Sequence, residues 1–188
     1  MEALSTLPAI GFHCVPIEGG FSWSLTSLLG RMLADAEQRY GPRDKSWTIL
    51  GIEFCEVGPR VWFPGNRRHV SILLSNIARE NPIIAQYELA QEIVHLLAPN
   101  GGGPAPVIEE GVATIFANEW VKPMRVSSGS YSEAEKLAQT LLTADPMSIK
   151  ILREKRLNFF DFTPKFIRDH YPIISEPEAA ALCERFQQ

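Results

Sequence analysis

Cysteine is scarce and scattered in this chain. Cys14, Cys55 and Cys183 are odd in number and far apart, and none has a C-x-x-C partner. That pattern excludes a disulfide framework and fits a reducing, cytoplasmic setting. No apolar run is long enough to cross a bilayer, and no basic stretch followed by an apolar one opens the chain as a secretory leader would. No membrane partner is therefore expected. Positive charge is not in excess either: 18 Lys and Arg stand against 22 Asp and Glu, for a net charge of -4, which gives no ground for nucleic-acid binding. Basic residues do cluster at Arg67-Arg68 and at Lys150, Arg153, Lys155 and Arg156. They read as a solvated loop and a solvated helix face. The triple glycine at 101–103 lacks both a P-loop lysine and G-x-G-x-x-G spacing, so it is no phosphate cradle. No internal repeat is present.

What remains is an ordinary globular composition, 188 residues of which 45% are hydrophobic and 21% charged. That is enough for one domain with a proper core. Residues 1–121 read as an α+β core and residues 122–188 as a helical C-terminal part of the same domain.

The core is organised by one stretch, Asn81 to Pro99 (NPIIAQYELAQEIVHLLAP). Asn81 is a capping residue, Pro82 suits the first helical position, and Pro99, Asn100 and the glycines stop the helix. Most of its circumference is apolar, so the helix is expected to be buried. One stripe is not apolar: Glu88, Gln91, Glu92 and His95, spaced i, i+3, i+4, i+7, share a face. Carboxylates are costly to bury without partners, so the stripe either faces a wet cleft or binds something.

Around this helix the expected elements fall into order. Ala9–Pro16 is a short strand containing His13-Cys14, whose side chains point to opposite faces and so do not form a nucleophile pair. After a turn at Glu18-Gly19-Gly20, Ser22 or Ser24 caps a helix to Tyr40 with Leu25, Leu28, Leu29, Met32, Leu33 and Ala36 on its apolar face. Strands follow at Ser46–Glu56, Arg60–Pro64 and His69–Ser75, the second read as a hairpin partner of the first. His69 is a candidate extra ligand, though a structural role fits a lone histidine at a strand start better. Asn100–Pro106 is a loop. Val107–Val121 is a second helix whose small residues, Gly111 among them, would let it approach the first. In its first turn, Glu109 reads as an acid satisfying the helix dipole. Beyond it lie a polar loop at Val126–Ser132, in which Tyr131 could donate a hydrogen bond to an oxyanion, and four helices ending near Thr143, Leu157, His170 and Phe186.

Gln91-Glu92-Ile93-Val94-His95 is the metallopeptidase pattern H-E-x-x-H with glutamine in place of its first histidine. In that pattern two histidines at i, i+4 bind zinc and the glutamate activates water. Glu110-Gly111-Val112-Ala113 follows on the next helix. Together these motifs resemble the glutamate-type zincins, or gluzincins, over about Trp47 to Val121. The resemblance implies a zincin-like fold of class α+β: a small mixed sheet packed on an active-site helix, with a helical C-terminal part. It implies peptide-bond hydrolysis in which Glu92 is the catalytic base, His95 and Glu110 are metal ligands, and Gln91 occupies the position of the missing histidine. The expected cofactor is zinc held weakly, or none. The partner is a peptide or protein.

Gln91 leaves three explanations open. The chain is a natural pseudoenzyme, or a working hydrolase that recruits Glu88 or a distant histidine, or a variant in which a histidine was changed to glutamine. A reading of another class also stands, a non-enzymatic partner-binding domain in which the stripe and Glu110 form a buried polar network.

Overall fold

The computed structural model describes residues 14–17, 20–65, 68–122 and 129–187. His13, the turn residues Glu18 and Gly19, Arg67 and the first three residues of the loop read at Val126–Ser132 therefore lie outside the described residues. The described part of the chain is α+β, with seven α-helices, a two-stranded hairpin and a three-stranded mixed sheet.

The hairpin is formed by β1 (Cys14–Ile17) and β2 (Gly20–Trp23), paired antiparallel. Ser22 thus lies in a strand rather than capping a helix. The first helix, α1 (Ser24–Tyr40), buries Met32 and Ala36 completely and ends at Gly41, whose φ of 92° suits a residue without Cβ.

The larger sheet comprises β3 (Thr48–Cys55), β4 (Arg60–Trp62) and β5 (His69–Ser75) in the order β3-β5-β4. The expected β3–β4 hairpin does not form. β5 lies between them, parallel to β3 and antiparallel to β4. The reason lies in β5 itself, which is apolar on both faces: Val70, Ile72 and Leu74 are wholly buried and Leu73 nearly so. A strand of that composition belongs at the centre of a sheet. The short β4, carrying the exposed Arg60 and Trp62, is left as an edge.

The motif helix, α2 (Pro82–His95), begins as its sequence dictates. The Asn81 side chain accepts from the backbone N–H groups of Ile83 and Ile84, at 3.1 and 3.2 Å. It ends about one turn earlier than the stretch to Pro99 suggested. The backbone of Leu96 and Leu97 tightens onto the carbonyls of Ile93 and Val94, a common 3₁₀-type finish. Leu89, Ala90, Ile93 and Val94 are fully buried against the sheet, α1 and α3.

Helix α3 (Val107–Trp120) is buried almost throughout. It packs against α2 on one side and α4 (Ser130–Ala144) on the other. Gly111 serves the second neighbour, not the first: a Cβ there would sit 2.2 Å from the Ala134 carbonyl oxygen. The start of α3 is held by the C-terminal segment. Val107 N–H donates to the Glu184 carbonyl at 2.9 Å and Phe186 N–H to that of Ala105 at 2.8 Å. These bonds pin the turn that carries Glu109 and Glu110.

The remaining helices are α5 (Ser148–Lys155), α6 (Pro164–His170) and α7 (Glu176–Cys183). Ser175 and Glu178 close a capping box at the start of α7. Arg153 on α5 is not on a solvated face, as its basic neighbours had suggested. It is 1% exposed, and its guanidinium donates to five backbone carbonyls, those of Tyr40, Gly41, Pro42, Leu97 and Leu157. It thereby ties together the ends of α1, α2 and α5. No helix among the described residues is long and apolar enough to cross a membrane.

A candidate active site between two helices

The polar stripe of α2 divides into two parts. Glu88, one turn before Glu92, turns toward the end of β5. It accepts from Ser75 N–H at 2.8 Å and from Ser75 Oγ at 2.6 Å. Its carboxylate is committed to finishing the central strand, which leaves it poorly placed as a substitute ligand. Gln91, Glu92 and His95 instead line a cavity of about 630 Å³.

The far wall of that cavity is the first turn of α3, with Glu109 and Glu110. One side is formed by Arg60, Val61 and Phe63 of the β4 region, another by the loop around Asn100 and Gly103, and Tyr131 from the start of α4 lines it too. The Tyr131 ring packs on Phe186, 4.8 Å between centroids. His69 pairs with Thr48 at the opening of β5 and is not among the side chains that line the cavity.

His95 is the hinge of the arrangement. Its Nδ1 lies 2.7 Å from Glu109 Oε1, a short hydrogen bond, and its Nε2 lies 3.6 Å from Glu110 Oε1. The second separation is too long for a hydrogen bond. It is close to the edge of a tetrahedron whose centre binds nitrogen and oxygen at zinc distances, roughly 3.4 Å.

The electrostatics follow from crowding acids around one ring. Burial pushes the Glu92 carboxyl up to about 7; the charge on His95 opposes that rise, Glu110 and Glu88 add to it, and a backbone hydrogen bond from Val61 opposes it. At about 1.4 kcal/mol per tenfold change, keeping Glu92 ionised costs about 3 kcal/mol more than in water. Burial and the charge of Glu109 also raise Glu110, against the pull of His95. For His95, burial disfavours the charged ring, but the Glu110 charge, the Glu109 hydrogen bond and the Glu92 charge outweigh it and raise its pKa. A pocket in which acids outnumber bases and hold on to protons is one that added positive charge would stabilise.

The donors suit a divalent ion in part. His95 Nε2 and Glu110 face each other across a suitable gap. Gln91 can add only a neutral amide oxygen. Among the described residues no three His, Cys, Asp or Glu side chains are grouped so as to hold a metal.

Two buried charged groups escaped sequence reasoning. Glu109 is 2% exposed and bonded to His95, rather than a surface acid at a helix start. A faint signal existed: consecutive residues at the start of a helix point about 100° apart, so a Glu-Glu pair can embrace a ring presented by a neighbouring helix. Arg153, whose pKa burial pushes down to about 10 against the charges of Glu109 and Glu37, carried no local mark at all.

No protein family, curated protein or solved structure compared with the chain matches it.

Proposed function

We propose that the chain is a zincin-type metallopeptidase homologue whose site keeps two metal donors, His95 and Glu110, together with the water-activating glutamate, Glu92, and is impaired by Gln91. The observation that carries this reading is the 3.6 Å approach of His95 Nε2 to Glu110 in a cavity that also exposes Glu92 and Gln91.

His95 and Glu110 would hold the metal, with Gln91 as a weak third donor. When bound, zinc supplies Lewis acidity and a water acidic enough to be a nucleophile near neutral pH. Glu92, which lines the cavity beside the two donors, would take a proton from water and give it to a leaving amine. The Val61 backbone bond fixes its carboxyl. β4, the edge strand beside the cavity, offers an extended peptide a backbone to pair with. Tyr131, which also lines the cavity, would donate to a developing oxyanion.

The test is hydrolysis of an unstructured peptide mixture by the Gln91→His protein in the presence of zinc. Activity in that variant, lost again when Glu92→Gln is added, supports the reading. A Gln91→His protein that binds zinc yet cleaves nothing removes the peptidase part of it.

A second reading, a partner-binding domain with a structural polar network, is favoured by the Glu88–Ser75 and Glu109–His95 bonds, which satisfy part of the stripe without any ion. Under it, restoring a histidine at Gln91 changes neither metal binding nor activity.

A further inference from the structure

We infer that Glu109 is the positioning residue of this site: by accepting from His95 Nδ1 it fixes which ring nitrogen carries the proton and leaves Nε2 as the nitrogen offered to Glu110 and the cavity.

The geometry is one-sided. Glu109 Oε1 lies 2.7 Å from Nδ1, while the other carboxylate oxygen, Oε2, is buried with no hydrogen-bond partner. The carboxylate is thus held by a single side-chain bond, and that bond is to the imidazole. As a stability device this is poor. A favourable charge at a helix start is worth about 0.3 to 1 kcal/mol and is available at the surface. Burying a carboxylate that is only half satisfied costs several kcal/mol. The helix dipole therefore does not account for Glu109, and a role toward His95 does.

The Arg153 guanidinium is held in place by five backbone carbonyls. One of those carbonyls belongs to Leu97, two residues beyond His95. Arg153 therefore steadies the end of the helix that carries the ring.

A histidine has two nitrogens, and the hydrogen bond made by one decides which role the other plays. With Nδ1 committed to Glu109, only Nε2 can present a lone pair, and it is Nε2 that stands next to Glu110. The consequence for metal binding rests on the metallopeptidase reading above. The choice of ring nitrogen does not.

The experiment is ring-nitrogen NMR on metal-free protein carrying ¹⁵N-labelled histidine, with His95 assigned through His95→Gln, followed by a zinc titration of the same samples. In the unaltered chain the Nδ1 signal is expected to stay in the protonated range while Nε2 alone loses its proton. In Glu109→Ala the two nitrogens lose that distinction, whereas Glu109→Gln, whose amide oxygen still accepts from Nδ1, is expected to keep it. A neutral His95 that carries its proton on Nε2 in the unaltered chain overturns the inference, whatever zinc does. Where zinc binds, Glu109→Ala is expected to weaken it about 10- to 100-fold, and equal affinity overturns the role toward metal. Failure of zinc to bind even in Gln91→His, with Nδ1 still locked, sinks the metallopeptidase reading and leaves the positioning role of Glu109 standing.

Discussion

His95 Nε2 and Glu110 Oε1 stand 3.6 Å apart, each on a different helix and each facing the same cavity. At that separation they are not hydrogen-bonded to each other; they are coupled through charge, and their proximity sets up a pair of donors.

The acid–base groups make the metal-free protein sensitive to alkali. Glu92 has a folded-state pKa raised from 4.5 to about 7, so its contribution to stability is fully present below pH 4.5 and is lost as pH rises through 7. His95 is also raised above its ordinary value, so its contribution is present below about pH 6.5 and fades at higher pH. Denaturant unfolding of metal-free protein is expected to show these two contributions declining between about pH 5 and 10. A profile unchanged between the chain and the His95→Gln, Glu92→Gln double variant would contradict this.

Glu92→Gln removes a carboxyl that is expensive to ionise while keeping its shape. The variant is expected to exceed the unaltered chain in stability at pH 8 by about 2 to 3 kcal/mol, and the gap is expected to close toward pH 5. Paired chemical-denaturation curves at the two pH values check this. A variant less stable than the parent at pH 8 would show that Glu92 is stabilised by a partner rather than held against its preference.

Arg153→Met exchanges a guanidinium for an apolar side chain of similar reach and strands the carbonyls that it serves. The expected loss is at least about 3 kcal/mol, because unsatisfied buried acceptors each cost about 1 to 3 kcal/mol. A drop of less than about 1 kcal/mol would mean that water replaces the guanidinium.

Gly111→Ala places a methyl group 2.2 Å from the Ala134 carbonyl oxygen. Backbone cannot rotate away as a side chain would, so α3 and α4 must separate. The expected cost is about 3 kcal/mol, the upper end for overpacking. Glu110 begins the same turn, so zinc affinity is expected to fall with stability. Normal stability would show that the two helices part freely.

Much of this fold could be read locally. The start of α2 is written in Asn81-Pro82, that of α6 in Thr163-Pro164 and that of α7 in Ser175 and Glu178, because a cap and the groups it serves lie within four residues of each other. The same holds for the juxtaposed Glu92 and His95, which one helical turn brings to the same face. Partners across the chain were not legible. β4 sits next to β3 in sequence, yet the strand apolar on both faces, β5, takes the centre of the sheet. Gly111 lies beside Glu110, yet its missing side chain is needed by α4. Arg153 sits among basic residues that all keep some exposure, and only the convergence of three helix ends explains its burial. Glu109 and Glu110 are neighbours of one type, separated in role by which edge of His95 each meets.

The most direct measurement is the zinc dissociation constant of the Gln91→His protein against that of the unaltered chain, by competition with a chromophoric chelator at pH 7.5. Losing one ligand from a set of about four that together contribute roughly 10 kcal/mol or more implies a tightening of at least about 100-fold on restoring it. A stoichiometric ion held at least that much more tightly, and released by Glu110→Ala, is the predicted result. Equal and weak affinity in both proteins would contradict the assignment of His95, Glu110 and position 91 to one metal site.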